Sequence, residues 1–307
     1  MYFNDTDKRY NQYSQHLKKM FGCKVYKVTL DAGFNCPNRD GSISKGGCIF
    51  CDDSGSFSQA HSCLLPIEEQ LQTGVTRLKD RFKAEKFISY FQAYTNTYGS
   101  VEHLKKVYDS AFSHDDIIGL SIGTRPDCVD KGKIDLISSY AQSKYVWVEY
   151  GLQSIHDQSL KLINRGHNAQ TFIDAVKLTQ NKNINIGVHV ILGLPHETRE
   201  DMLTTAKVLA DLGINGVKIH LLCVLKGTKL EQLYYQNNFN LLEEDEYVET
   251  VCDFLELMPP DVTIHRLAGN GLKKILVAPR WLPEKFRILN KIDAEFERRG
   301  TYQGYKA

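Results

Sequence analysis

Three cysteines, Cys36, Cys48 and Cys51, fall in one polar, glycine-rich stretch that begins Asp31-Ala-Gly-Phe-Asn-Cys36 and ends Cys48-Ile-Phe-Cys51. Structural cysteines are mostly single and set in apolar runs, whereas these have Asn38, Asp40, Ser42 and Ser44 for neighbours. Three thiolates can hold three irons of a [4Fe–4S] cluster and leave the fourth iron open to an outside ligand. Gly41, Gly46 and Gly47 let the backbone turn tightly around such a group and offer amide donors to its sulfides. The same Cys-x2-Cys pair also serves structural zinc, with His61 or Cys63 as the fourth ligand. The thiols alone therefore leave both metals open. Cys23, Cys63, Cys128, Cys223 and Cys252 form no second Cys-x2-Cys, which argues against an auxiliary cluster.

Such a loop needs elements to present it. Short apolar, β-branched runs recur at residues 25–30, 87–92, 117–122, 146–152, 184–192 and 216–222. Helical patterns at 101–112, 131–142, 171–181, 199–212 and 230–236 fill the gaps. After the first run the spacing is roughly 30 residues or a little more, the length of one βα unit, so parallel strands with helical crossovers are expected. Alternation gives each strand two faces. Glu149, Gly151 and Gln153 oppose Val148, Tyr150 and Leu152; Gly187, His189 and Gly193 oppose Ile186, Val188, Val190 and Leu192; Lys218 and His220 oppose Val217, Ile219 and Leu221. The apolar set must meet the helices, so the inward set is polar. A closed eight-stranded barrel fills its interior with branched apolar side chains. The expected fold is therefore α/β, a partial TIM barrel, (β/α)6, with an open interior for a ligand. It spans residues 1–240, with the cluster loop at 31–63. Residues 241–307 form a basic C-terminal α/β extension within the same domain unit: a helix at 241–258, a short run at 262–267 and an amphipathic helix at 284–299.

The cysteine triple resembles the cluster motif of the radical S-adenosylmethionine (SAM) superfamily, with the common three-residue gap widened to eleven. Gly123-Thr-Arg-Pro-Asp127, Val148-Glu-Tyr-Gly-Leu-Gln-Ser154, Asn164-Arg-Gly-His167 and Gly193-Leu-Pro-His-Glu-Thr198 resemble, in the same order, the radical domain of the Elongator catalytic subunit. The wide cysteine gap and the segment Phe91-Gln-Ala-Tyr-Thr-Asn-Thr-Tyr98 are most similar to the bacterial YhcC/YtqA-type (MnmL) group. The resemblance implies a [4Fe–4S] cluster on Cys36, Cys48 and Cys51. SAM would be chelated at the open iron and cleaved by one electron to give a 5′-deoxyadenosyl radical. It places Phe50 at the adenine and Tyr94-Thr95-Asn96 near the methionine amine, where the usual acidic residue is missing. Gln153 and Arg165 fall at the ribose or the methionine carboxylate. His189 stands where some relatives carry an acid, and Ser121 and Thr124 point to the same mouth. For substrate, the resemblance implies tRNA. The 5-carboxymethylaminomethyl group of wobble uridine 34 would be processed to 5-aminomethyl, with a flavodoxin- or ferredoxin-type electron donor and a partner methyltransferase. No acetyl-CoA-binding segment is read here. A radical enzyme of a small metabolite or protein, and a zinc protein that binds RNA without catalysis, are the competing readings.

Composition sets the outer bounds. With 307 residues, 42% hydrophobic and 24% charged, the chain can bury a large core, and it is neither disordered nor collagenous. No apolar run approaches the ~18 residues of a membrane span, and the start lacks the apolar stretch of a leader, so a cytoplasmic protein with no membrane partner is expected. The net charge of +1 hides an asymmetry: residues 1–30 carry six Lys/Arg against two acids, and residues 266–307 carry ten against four. Basic ends around an acidic body read equally as a footprint for a polyanion and as an ordinary solvated surface.

Overall fold

The computed structural model describes residues 8–52, 65–269 and 274–307. The fourth-ligand candidates for zinc, His61 and Cys63, and the end of the cysteine loop lie outside them. In chain order the elements are α1 (Tyr13–Phe21), β1 (Val25–Leu30), α2 (Ile67–Phe82), β2 (Lys86–Phe91), α3 (Val101–Ser110), β3 (Ile117–Thr124), a 3-10 turn (Pro126–Cys128), α4 (Lys131–Tyr140) and β4 (Tyr145–Gln153). There follow α5 (Asp157–Leu162), α6 (Ala169–Thr179), β5 (Asn185–Leu192), α7 (Arg199–Asp211), β6 (Gly216–Leu221), β7 (Val224–Leu225), α8 (Lys229–Tyr235), α9 (Glu244–Glu256), β8 (Thr263–Arg266), β9 (Leu276–Ala278) and α10 (Lys285–Arg299). Side-chain oxygens start several crossover helices: Ser100, Asp130, Asn168, Thr198 and Thr228 each accept from a backbone amide of the first turn.

β7 and β9 form a separate antiparallel pair, and the other strands form one parallel sheet in the order β1-β2-β3-β4-β5-β6-β8, a curled half-barrel with helices outside. It has seven strands where six were expected, because the short run in the C-terminal extension pairs with β6 and brings Arg266 beside Lys218. Val148, Tyr150, Leu152, Val188, Val190, Val217 and Ile219 are wholly buried on the helix side. The apolar half of the alternation thus holds. The polar half faces inward, and Ile191, rather than Gly193, takes the inward position after His189. Gly193 instead begins the turn out of the strand with φ 78°.

The helix α1, which the apolar periodicity did not reveal, packs against both edge strands β1 and β8 at one end of the half-barrel. Its Tyr13 stacks on His265 with ring centroids 3.8 Å apart and meets Trp147 edge-on at 5.5 Å. The extension shares the main core: Val251, Phe254, Ile288, Ile292 and Phe296 are fully buried in the same apolar cluster as the barrel. Its basic charge is largely matched at home. Arg287 and Lys291 pair with Glu244 and Asp245 of α9, and Arg299 lies 2.7 Å from Asp253 and 2.6 Å from Glu295. Lys306 reaches Glu256 and Lys8 reaches Asp293. Part of the basic charge of the C-terminal end is therefore matched by the acidic helix α9. Among the described residues no helix is long and apolar enough to cross a membrane.

Candidate active site

The cysteine loop is anchored by the turn after α5. Asn38 donates to the Asn164 carbonyl at 2.6 Å, Asn164 donates to the Gly47 carbonyl at 2.8 Å, and the Ile49 amide donates to Ile163 O at 3.1 Å. Gly166 must be glycine here: φ is 77°, and a Cβ would stand 2.5 Å from Asn38 Oδ1. This clamp brings Arg165 to the sulfurs. Its Nε and Nη2 donate to the Gly151 carbonyl at 3.1 and 2.5 Å, and its Nη1 lies 3.5 Å from Cys48 Sγ. Two nitrogens of the guanidinium fork are thus turned onto the end of β4. Asn38 Nδ2 stands 3.6 Å from Cys48 Sγ, and Arg39 stands 3.6 Å from Cys51 Sγ.

Cys36, Cys48 and Cys51 line the mouth of one open cavity, about 1490 Å³ with its solvent-filled entrance. Phe50, Tyr94, Thr95, Thr124, Gln153, Arg165 and His189 line it with them. Asn96 and Ser121 do not. Asn96 is buried behind the wall, where Nδ2 donates to Gly123 O at 2.8 Å, and Ser121 is buried beneath the floor, donating to Glu149 at 2.7 Å. The rim is strained where it meets the cavity. Tyr94 (φ 58°), Gln153 (φ 81°) and Asn164 (φ 53°) are non-glycine residues in the left-handed region, and the β4–β5 register slips between Gly151 and Gln153. Gly151 permits the closeness, since a Cβ there would lie 2.7 Å from Arg165 Nη2 and 3.0 Å from Gln153 Nε2.

Under the mouth lies a buried charge network. Glu149, 1% exposed, accepts from Lys27, from Lys218, from Tyr90 at 3.1 Å and from His189 at 2.8 Å. Burial opposes ionisation of Glu149, but Lys218, Lys27 and His189 overcome it and hold the carboxyl well below the usual range. Burial pushes Lys218 down to about 7, against the pull of Glu149 and with the help of Lys27 and Arg266. Burial, with Lys218 close by, pushes His189 down to about 4, so its imidazole is neutral at pH 7.

The cavity suits the cofactors that the motif implies. The three cysteines form no disulfide, and cationic or amide donors stand beside two of their sulfurs. Among the described residues no three His, Cys, Asp or Glu side chains converge on a single ion position. Polar atoms along this wall await a partner: Thr95 Oγ1 and Arg125 Nη1 are buried without one, although the other nitrogens of Arg125 hold Asp127 at 2.9 and 2.8 Å. Arg39, Arg125, Cys223 and Arg266 line the cavity and were not singled out from the sequence. Arg125 sits inside the quoted Gly-Thr-Arg-Pro-Asp motif, which was the available signal for it. Arg266 had none, because its inward placement depends on the register of β8.

Comparison with known proteins follows the same lines. The profile of the radical SAM superfamily matches residues 36–209, and that of the radical SAM C-terminal domain matches residues 214–298. The chain is 41% identical to YtqA of Bacillus subtilis (strain 168), over 98% of this chain and 94% of that one. It is 27% identical to the tRNA uridine(34) acetyltransferase of Methanocaldococcus infernus, over 58% of this chain but only 33% of that protein. Among solved structures, the archaeal Methanocaldococcus infernus Elp3 with an N-terminal deletion superimposes with a TM-score of 0.68 at 19% identity, covering 91% of this chain and 64% of that one. At that identity the likeness concerns the fold.

Proposed function

The chain belongs to the radical SAM superfamily, and from that premise we propose that it acts on tRNA, converting the 5-carboxymethylaminomethyl group of wobble uridine 34 to 5-aminomethyl. It is an enzyme of the superfamily's usual cofactors, a [4Fe–4S] cluster and SAM, which when bound would supply hydrogen abstraction from the substrate. Cys36, Cys48 and Cys51 would hold the cluster, with Arg165, Arg39 and Asn38 donating to the sulfurs and so tuning their basicity. Phe50, Tyr94, Thr95, Thr124 and Gln153 would position SAM, and the orphaned Thr95 hydroxyl and Arg125 guanidinium nitrogen are suited to its polar groups. Asn96 would act from behind the wall, holding the Gly123 turn. Ser121 and His189 would act through Glu149.

The observation that carries the reading is the shared cavity: three thiols at its mouth open onto a polar, cationic floor. Support for tRNA comes from the similarity to the uridine(34) acetyltransferase. A flavodoxin- or ferredoxin-type reductant and a partner methyltransferase belong to the same proposal, as does a cytoplasmic location. Deletion of the encoding gene tests it. Digested tRNA from the deletion strain should accumulate 5-carboxymethylaminomethyluridine and lose the aminomethyl product, and an unchanged nucleoside chromatogram would remove the tRNA reading.

A further inference from the structure

The floor of the cavity carries more positive charge than the protein itself neutralises. Glu149 is the carboxylate at its centre, and both Lys27 and Lys218 are bound to it. Arg266, across the β6–β8 pair from Lys218, lines the same cavity, and its side chain makes no hydrogen bond or ion pair with another described residue. His220 is the second unmet group: its Nε2 is buried without a partner, and its ring lies 5.3 Å from that of His189. Leaving a buried donor or acceptor unmet costs roughly 1–3 kcal/mol, and an uncompensated buried cation costs more. Such a surplus persists where a ligand completes it.

We infer that Lys218 and His220 of β6 together with Arg266 of β8 form the seat of a substrate carboxylate, separate from the SAM site at the cysteine mouth. The inference rests on the functional reading above and deepens it. A carboxymethylamino substituent ends in a carboxylate, and anchoring that end on the floor would leave its methylene directed towards the mouth. The planar fork of Arg266 matches a carboxylate, and Lys218 reaches it as a point charge. The aminomethyl product lacks this anion, so the same seat would discriminate substrate from product and favour product release.

The test uses cluster-reconstituted full-length protein. Binding is measured to tRNA bearing 5-carboxymethylaminomethyluridine 34, to the same tRNA bearing 5-aminomethyluridine 34, and to SAM. A thermal-shift titration compares N-methylglycine with dimethylamine, which lacks the carboxylate. Wild type should prefer the carboxylated tRNA by about tenfold, the equivalent of one charge-assisted hydrogen bond, and should be stabilised by N-methylglycine only. Arg266→Gln should abolish both effects with SAM affinity unchanged, while Arg266→Lys retains part of each. Equal affinity for the two tRNAs with no response to N-methylglycine overturns the seat and leaves the tRNA function standing. Response to N-methylglycine without binding of either tRNA overturns the tRNA function and leaves the seat. Loss of SAM affinity in Arg266→Gln assigns the floor to the cofactor and overturns the separation.

Discussion

Arg165 shows how one side chain is shared between site and scaffold. Read from the sequence alone, Arg165→Ala should weaken SAM binding and leave the cluster spectrum unchanged. The contact from its Nη1 to Cys48 Sγ changes that expectation. Arg165→Ala should alter the visible spectrum of the reconstituted cluster as well as SAM affinity, and an unaltered spectrum would show that the contact has no electronic effect. Gly151→Ala should do similar harm without touching a polar group, because the added methyl would stand 2.7 Å from the guanidinium. Its check is SAM affinity measured beside an unchanged far-ultraviolet dichroism. At this scale the sequence was most informative where chemistry is local. The cysteines, Phe50, Gln153 and His189 could be placed from motif and alternation, while Arg266 could not, because no local pattern states which strand end meets which.

Among the strands, the network around Glu149 ties β1, β2, β3, β4, β5 and β6 together through Lys27, Tyr90, Ser121, His189 and Lys218. Removing the carboxylate leaves buried ammonium groups without a counter-charge, a change worth about 3–5 kcal/mol. Glu149→Gln should therefore lower the urea midpoint strongly at neutral pH. The direction with pH follows from linkage. The folded pKa of Lys218 is already lowered to about 7, and it would fall further without Glu149. The unfolded chain then binds more protons between that value and the ordinary lysine range near ~10.4, so stability rises with pH across this window. Glu149→Gln should thus recover part of its loss at pH 9 relative to pH 6.5, as chemical denaturation at both values would show. A variant equally unstable at both would mean that Lys218 is neutral, or free of the network, throughout. The inward polar set of β4, β5 and β6 was legible from period-two alternation alone. The seventh strand was less so, since Thr263–Arg266 is a four-residue run whose parallel pairing passes through a register shift against β6.

For the molecule as a whole, the extension is part of the barrel's structure. It supplies β8 to the sheet, α9 and α10 to the main core, and Arg266 to the cavity. Each of the large apolar side chains it buries is worth roughly 1.5–3 kcal/mol. A chain ending at residue 240 should therefore be insoluble or molten, with the edge of β6 exposed; a cooperative thermal transition near that of the full chain would refute this. The sequence left the charge asymmetry open between a polyanion footprint and a solvated surface; part of it is tertiary, because α10 turns Arg287, Lys291 and Arg299 onto α9. The most direct measurement for the whole account is anaerobic reconstitution of the full chain beside Cys48→Ala. Wild type should bind about four irons, in keeping with a cubane cluster, and release 5′-deoxyadenosine from SAM when reduced with dithionite, while Cys48→Ala loses most of the iron and all of the cleavage. A colourless wild-type protein holding zinc, or a Cys48→Ala variant that keeps both properties, would contradict the central claim that these three thiols seat the cluster of a radical enzyme.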